Sequence, residues 1–407
     1  MRTFTSVRTF PLPVRLLLVN QLGVNAGFYL LVPYLATHLG HDLGLSATAV
    51  GIVLGVRNLS QQGLFIIGGS AADRLGARGV IIIGCALRAI GFALFALSDG
   101  LTVLIAASVL SGLAGALFNP AVRTYIAQEA GQRKAEAFAL FNVFATTGAL
   151  VGPLLGTLLL LIDFRAAALT AAAIFALLTV AQALSLPAQA APPANTAVLS
   201  DWREAATDRR FLVFALAMAG MYALESQLYL LLPDAARRAT GWSGAVSLLF
   251  FTSTMANLAL QLRITRRLQG KGTRGTWIAI GLLVMGLAFL PPLVSDGLPM
   301  LLLTVLLLHL GVMTAQPFVM ELIPAFGRTA LTGTYYGLFY VVSGLAAALG
   351  NAAVGWAMDS ARWAPWLLCC TVGLIGATAV TRLTCAAQLP TSEPAVQSEA
   401  EQPSGSR

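Results

Sequence analysis

Ionisable side chains inside long apolar stretches are the residues of this sequence best able to do chemistry. Glu225 lies in "YALESQLY" and is the only acid well away from both ends of any predicted helix. Arg57 lies about ten residues into another apolar run, with Gln61 one helical turn further along the same face. Because a charge at the centre of a bilayer costs about 2.5–3.5 kcal/mol on insertion scales, such a residue is by default a candidate for function.

These groups predict a site that binds a small molecule and exchanges protons. The candidates for substrate or proton binding are Arg57, Gln61, Asn25, Tyr222, Glu225, Gln227 and His309. A structural role stays open, because Arg57 can form a fixed pair with Glu225 or with the backbone, and His309 can be a core residue. No group of His, Cys, Asp or Glu residues has the spacing of a metal site, so the sequence predicts neither a metal nor another cofactor.

The elements that carry these side chains are predicted from composition. Of the 407 residues, 57% are hydrophobic and 10% are charged, whereas a soluble domain has about 25% charged residues. Twelve apolar runs are long enough to cross a bilayer: 15–38, 47–70, 78–98, 101–122, 137–161, 165–187, 210–233, 243–262, 276–295, 299–322, 331–357 and 364–386. Without the period-two alternation of a barrel, such runs must be helices, which satisfy their own backbone in lipid. The sequence therefore predicts an all-α membrane protein with twelve transmembrane helices.

The net charge of +8 is explained by topology. With the N-terminus in the cytoplasm, 19 of the 25 Lys and Arg residues fall on inside segments and four on outside loops. This asymmetry is the positive-inside rule. It predicts a multi-pass protein of a bacterial-type inner (plasma) membrane with both termini cytoplasmic, and it removes the need for a nucleic-acid partner.

A break in the middle of the chain predicts two domains. Residues 188–209 carry Pro and charges and cannot span, so we expect six-helix bundles at 1–187 and 210–389, joined by a cytoplasmic linker at 188–209. The polar segment 390–407 is predicted to be a disordered tail. The halves repeat weakly: 119–128 resembles 316–325, and 139–152 resembles 337–350. Duplicated halves are typical of transporters whose site lies between the repeats, near the bilayer midplane.

A short charged turn follows the second apolar run. It contains Gly69, Asp73, Arg74, Gly76 and Arg78. Glycine permits a tight turn and a close approach between helices. A carboxylate can accept hydrogen bonds from a helix N-terminus, and the arginines can pair with nearby acids. We interpret this loop motif as a conformational latch that breaks and re-forms as two bundles rock.

A second motif lies in the fifth helix. It consists of Gly148, Gly152, Pro153 and Gly156. Small residues on one helix face allow close packing, and an internal proline adds a kink. We therefore expect this face to pack against another helix.

On these two motifs, the chain resembles the major facilitator superfamily. The loop motif resembles the family's cytoplasmic loop between helices two and three, and the helix-five motif resembles that of its drug:proton antiporters. The stretches 50–78 and 110–120 are also similar to multidrug exporters of the family, and the resemblance covers about residues 10–387. There are departures: the polar residues of helix one are neutral, and Ser108 stands where many of these exporters carry an arginine.

The resemblance implies the major facilitator fold, two pseudo-symmetric six-helix bundles. It also implies export of a small amphipathic molecule by proton antiport and alternating access, with the protein acting as a monomer in the lipid bilayer. No GxxxxGK[ST] motif occurs, so we expect the proton motive force to supply the energy. Two alternatives stay open: an exporter of one endogenous metabolite, such as a siderophore, and an importer. A membrane-embedded enzyme is disfavoured, because no loop carries a nucleophile–base pair.

Overall fold

A computed structural model of the chain describes residues 7–45, 47–187, 197–241 and 244–390. In these ranges every regular element is a helix. Eleven helices there are long and apolar enough to cross a membrane. The second predicted span is additional to these eleven, because it is divided at Leu64 into two shorter helices. The prediction of an all-α membrane protein is confirmed.

The N-terminal half contains the first six spans. Its helices are α1 (Leu12–Thr37), α2 (Ala47–Gly63), α3 (Phe65–Leu75), α4 (Ala77–Leu97), α5 (Leu101–Glu129), α6 (Lys134–Leu160) and α7 (Phe164–Ser185). Together, α2 and α3 form the second span. A π-helical turn at His38–Asp42 extends α1.

The C-terminal half contains the other six. Its helices are α9 (Arg209–Glu225), α10 (Leu231–Thr240), α11 (Gly244–Leu268), α12 (Arg274–Leu287), α13 (Pro291–Val294), α14 (Leu298–Leu322), α15 (Thr332–Ser360) and α16 (Ala364–Cys385). The seventh span consists of α9, a 3-10 turn at Ser226–Leu228, and α10. The ninth consists of α12 and α13.

The segment between the halves contains one more helix, α8 (Val198–Thr207). It is too short to span and lies within the predicted linker 188–209, of which residues 188–196 are outside the described part of the chain. The predicted tail 390–407 lies, beyond residue 390, outside it as well. The domain boundaries and the disorder of the tail stay predictions.

One end of the molecule, which we call the basic end, carries the turns between α3 and α4, α5 and α6, α11 and α12, and α14 and α15, together with α8. The sequence predicts from the positive-inside rule that this end is cytoplasmic, and the orientation stays a prediction. The halves meet here: α3 packs against α15, and α6 packs against α11 and α14. The polar contacts that join the halves at this end are therefore the first part of the candidate site.

The fourth span is longer than the sequence predicted. Its apolar run ends at 122, but α5 continues to Glu129. The count of charges had placed Arg123 in an inside loop. In the structure Arg123 lies within α5. Backbone hydrogen bonding continues a helix past the last apolar residue wherever the following residues can also be helical.

Candidate functional site

Asp73 joins the two halves at the basic end. Its Oδ1 accepts a hydrogen bond from the backbone N–H of Gly333 at 2.6 Å. Its Oδ2 accepts bonds from the backbone N–H and the hydroxyl of Thr334, both at 2.7 Å. These amides belong to the first turn of α15, where no intrahelical acceptor exists and negative charge is stabilised. The carboxylate on α3 therefore caps a helix of the opposite half, as the loop motif suggested; its role as a latch stays a prediction.

The other members of the loop motif have separate positions. Gly69 packs directly on Gly333 of α15, where a Cβ would overlap the Gly333 carbonyl oxygen. Gly76 ends α3 with φ at +81°, in the region that favours glycine, and so makes the tight turn into α4. Arg78 donates to the carbonyl of Ala183 at 2.6 Å, a contact within the N-terminal half. It thus bonds to a carbonyl and not to an acid.

Helix α8 binds the N-terminal half through two polar contacts. Arg74 of the loop motif pairs with Asp201 at 2.5 Å, and the Asp201 side chain is buried. The indole N–H of Trp202 donates to the Ser70 hydroxyl at 2.5 Å. Arg74 therefore has a partner in the linker segment. The composition of that segment predicted only that it does not cross the membrane.

The same helix region also binds the C-terminal half. Arg328, in the turn before α15, donates to both carboxylate oxygens of Glu204, at 2.9 and 2.6 Å. These bonds hold the pKa of Arg328 above its usual range. Tyr335 of α15 donates its hydroxyl proton to Asp208 at 3.0 Å. Helix α8 therefore bridges α3 and α15, the two helices that Asp73 also joins.

A second group of contacts connects the halves on the other side of the basic end. Glu136 of α6 accepts bonds from Arg266 of α11 at 2.8–2.9 Å, and its side chain is buried. Nearby, the Asn142 amide donates to the Gln316 amide oxygen of α14 at 2.7 Å. The basic end is thus held closed by polar contacts along both pairs of facing helices.

The helix-five motif packs against α1. A Cβ on Gly148, Gly152 or Gly156 would overlap or crowd a backbone carbonyl of that helix, at Leu22, Ala26 and Leu30 respectively. Helix α6 runs unbroken through Pro153, whose carbonyl accepts a hydrogen bond from Tyr34 of α1 at 2.9 Å. The expectation that this face meets another helix agrees with the structure.

The centre of the N-terminal half contains Arg57. Its guanidinium donates to the side chain of Asn58 at 2.6 Å and to that of Gln61 at 3.4 Å, the latter a weak bond. It also lies over the ring of Phe28, 5.1 Å from the centroid. Arg57 and Gln61 therefore lie on one face of α2, as their spacing indicates, and the structure adds a weak bond between them.

Asn25 holds two transmembrane helices together. Its amide donates to the carbonyl of Ala145 on α6 at 2.8 Å, and its oxygen accepts from Gln21 at 3.1 Å. The side chain is half-buried. These bonds position Asn25 rigidly one turn away from Tyr29 on α1.

Among the described residues, Glu225 is the one carboxylate in the middle of a membrane span. It is the last residue of α9. It forms no hydrogen bond and no ion pair with any described residue, and it is half-buried. The fixed Arg57–Glu225 pair that the sequence left open is therefore not formed. Tyr29 nevertheless lies within electrostatic range of both Arg57 and Glu225. Tyr222, one turn before Glu225, packs edge-on against Phe339 with centroids 5.8 Å apart.

Two candidates lie away from this centre. Gln227 is fully buried in the 3-10 turn, where its amide bonds to the Ala223 carbonyl and to Asn351 of α15. His309 is buried within α14, and its Nδ1 lies 3.0 Å from the Val305 carbonyl of its own helix. Both positions suit packing, and the structure brings neither side chain to Arg57 or Glu225.

One central residue was not a candidate. Arg123 of α5 lies over the rings of Phe141 and Tyr340, at 5.1 and 4.8 Å from their centroids, and donates to the Asn119 carbonyl at 3.0 Å. Tyr340 belongs to the opposite half, so this cation–π contact also connects the halves. The sequence carries one signal for this residue, an arginine directly after an apolar run. That position is equally typical of a loop, so it does not identify a helical residue.

Comparison with known proteins agrees with this architecture. The sequence model of the Major Facilitator Superfamily matches residues 17–351. An uncharacterized MFS-type transporter of Mycobacterium tuberculosis is 41% identical over 397 residues, covering 92% of this chain and 94% of that protein. The multidrug resistance protein MdtH of Escherichia coli is 31% identical over 366 residues, covering 88% of this chain and 90% of MdtH.

Solved structures share the fold. The crystal structure of the human organic anion transporter MFSD10 (TETRAN) superposes with a TM-score of 0.70 at 20% identity, covering 90% of this chain and 98% of that one. A POT family transporter in complex with a thioalcohol-conjugated peptide superposes with a TM-score of 0.68 at 15% identity, covering 93% and 99%. At these identities the likeness concerns the fold alone.

Proposed function

The chain belongs to the Major Facilitator Superfamily, and from that premise we propose that it exports small amphipathic molecules from the cytoplasm in exchange for protons. It is a multi-pass membrane transporter for a small-molecule substrate and not an enzyme. The direction of transport, the chemistry of the substrate and the use of protons are the parts that we propose.

The free carboxylate of Glu225 is the observation that carries the proposal. It lies in the middle of the seventh span without a hydrogen-bond or ion-pair partner among the described residues. A charge inside a membrane span without a partner is costly, so a proton or a substrate group must neutralise it during part of the cycle. A group of this kind can bind a proton arriving from one side and release it on the other.

Competition at Glu225 would couple the two movements. A substrate with a cationic or hydrogen-bond-donating group binds the ionised carboxylate, whereas the proton binds in the absence of substrate. If the bundles change from one orientation to the other only when Glu225 has bound either a proton or the substrate, export of substrate requires entry of a proton. The membrane potential then contributes about 2.3 kcal/mol per proton for each 100 mV.

Closure of the basic end supports alternating access. Asp73 caps α15, and Glu136 pairs with Arg266 across the halves. If the basic end is cytoplasmic, as the positive-inside rule indicates, the closed contacts belong to a state that is shut toward the cytoplasm. Breaking them would open the central residues to that side, where an exporter must bind its substrate.

The similarity to MdtH, which is named as a multidrug resistance protein, supports a substrate range of amphipathic drugs. We further propose that the protein acts as a monomer in an inner (plasma) membrane with both termini in the cytoplasm. An exporter of a single endogenous metabolite, such as a siderophore, has the same fold and mechanism. A transport assay with a panel of drugs and metabolites separates these two functions, and reversal of the gradient separates export from import.

Purified protein in liposomes tests the proposal. A pH gradient is imposed, a fluorescent amphipathic dye reports substrate movement, and a pH-sensitive dye inside reports protons. We expect Glu225→Gln, which mimics the protonated acid, to abolish pH-driven transport while the dye still binds in detergent. Asp99→Asn is the control, because Asp99 is an exposed acid paired with Arg165 at the opposite end and should transport normally.

Two results would overturn the proposal. If the wild-type protein moves no dye against any gradient, export of amphipathic molecules is wrong. If Glu225→Gln still moves protons with substrate at the wild-type ratio, Glu225 is structural and another group carries the proton.

A further inference from the structure

The interior of the N-terminal half contains positive charge without a negative counterpart. Arg57, Arg88 and Arg123 lie within its spans, whereas the acids of its described residues lie at helix ends or in turns. Arg57 and Arg88 are 9% and 4% exposed, so little water reaches either one. Unpaired buried charges of one sign are unfavourable, and some anion would be expected to compensate them.

Three aromatic rings surround the guanidinium group of Arg88. Its guanidinium carbon lies over Phe28, Phe118 and Phe175, at 5.8, 5.7 and 5.4 Å from their centroids. It forms no hydrogen bond and no ion pair with any described residue, and its Nε is buried without a partner. Rings attract a cation but accept none of its five N–H groups in the way that oxygen does. Packing therefore leaves the buried Nε donor of Arg88 unsatisfied.

Arg57 shares one of these rings. Its guanidinium carbon lies 5.1 Å from the Phe28 centroid, so the two arginine head groups are at most about 11 Å apart. Among the described residues, its only acceptors are the neutral amide oxygens of Asn58 and Gln61, and its Nε is also buried without a partner. Two like charges are thus held close together by one phenyl ring.

Gly115 of α5 completes the geometry. A Cβ at this position would lie 3.0 Å from Arg88 Nη2 and 3.0 Å from the side-chain amide carbon of Gln61. Because Gly115 has no side chain, Arg88 Nη2 and the Gln61 amide approach α5 closely at this point. Gln61 also accepts from Arg57, so the three polar side chains adjoin one another beside Gly115.

We infer that Arg57, Arg88 and Gln61 bind an anionic group of the transported molecule, such as a carboxylate, while its apolar body packs against Phe28. This inference deepens the proposed function and rests on it, because it names a chemical class for the substrate of the same central site. Guanidinium and carboxylate form the strongest type of hydrogen-bonded pair available to side chains.

The position of this subsite agrees with competition at Glu225. Glu225 is on the opposite half and would repel an anionic group. The anionic end of a substrate therefore points toward α2 and α4, and the other end of the molecule meets Glu225. Binding at the arginines leaves the carboxylate of α9 available to exchange its proton.

Equilibrium binding of a matched pair of probes tests the inference. The full chain, purified in detergent, is titrated with 2-naphthoate and with its neutral amide, 2-naphthamide, in a calorimeter. Because a charge-assisted hydrogen bond is roughly twice as strong as a neutral one, we expect the anion to bind at least about tenfold more tightly. The ratio of the two affinities should fall several-fold in Arg57→Gln and in Arg88→Gln, since each removes one of the two charges of the subsite.

Two further variants keep the test decisive. Arg165→Gln removes an exposed arginine at the opposite end and should leave the ratio unchanged. Arg88→Lys keeps the charge and should retain most of the preference, which separates a lost charge from a disturbed fold if Arg88→Gln is unstable. An equal affinity of the wild-type protein for both probes overturns the inference, as does an affinity ratio that equals the wild-type ratio in both glutamine variants. No gradient is needed here, so failure of proton-driven export is observed independently.

Discussion

Gly69 of α3 and Gly333 of α15 lie in direct backbone contact, and a Cβ on either residue would overlap the carbonyl oxygen of the other. The two glycines belong to opposite halves of the protein. Close contact at this point lets Asp73, one turn further on, reach the first amides of α15. The closed basic end therefore depends on the absence of two side chains as much as on the presence of one carboxylate.

Gly69→Ala should disfavour closure of the basic end. Overpacking costs about 1–3 kcal/mol, which corresponds to a roughly 5- to 150-fold fall in the population of the closed state. We expect a similar loss of transport rate in liposomes with little change in expression. Gly79→Ala is the matched control, because a Cβ there meets no atom within 4 Å. Wild-type transport by Gly69→Ala would show that the halves need not approach so closely.

Asp73→Asn should leave the protein folded but reduce transport strongly. The carboxylate accepts three hydrogen bonds, two of them from backbone amides at the positive end of α15. An asparagine presents one oxygen and no charge, so the cap is weakened by about 1–3 kcal/mol. The initial rate of dye efflux is the measurement, with Asp99→Asn as the control. An efflux rate equal to the wild type would exclude a latch at Asp73.

Arg74 and Asp201 should contribute to closure as a pair. The bond spans 2.5 Å and Asp201 is 6% exposed at its side chain, so removing either partner leaves a poorly solvated charge. In a cysteine-free protein that carries Leu331→Cys at the start of α15, a buried position, we expect faster maleimide labelling after Asp201→Asn. A double-mutant cycle with Arg74→Gln should give a coupling of about 0.5–3 kcal/mol. Additive effects of the two substitutions would mean that α8 does not hold the end shut through this pair.

Gly152→Leu should inactivate the transporter without unfolding it. A Cβ at this position would lie 2.6 Å from the Ala26 carbonyl oxygen and 2.9 Å from Tyr29 Cβ, so a leucine must separate α6 from α1. This displacement moves Asn25 and Tyr29 away from their central positions and costs about 1–3 kcal/mol of stability. Gly55→Leu on α2, with no atom within 4 Å of its Cβ, is the control for added bulk. Thermal unfolding and efflux measured together test both parts of the expectation.

The sequence predicted the spans well because lipid imposes one simple rule on composition. It predicted Asp73 as a helix cap and the helix-five glycines as a packing face, since both follow from local chemistry. It could not predict that Gln227 turns away from Glu225. The 3-10 turn at Ser226–Leu228 directs Gln227 toward Asn351 of α15, a partner 124 residues later in the chain.

The residues that sequence analysis missed act over long separations. Arg123 appeared to end a span, and its stacking on Tyr340 joins positions in different halves. Asp201 and Trp202 lie in a ten-residue helix whose composition is ordinary for an exposed linker. Their partners, Arg74 and Ser70, are more than a hundred residues earlier in the chain. No periodicity within a single element carries information of that kind.

Helix α8 is covalently attached, on either side, to the two halves that it bridges. After each opening its partners therefore stay within a few tens of ångströms, at an effective concentration in the millimolar range. Individually weak pairs are then enough to restore the closed end quickly, because rebinding is intramolecular. Stronger pairs would slow the release step and lower the turnover number. We therefore expect the strength of the α8 contacts to affect the turnover number of the transporter.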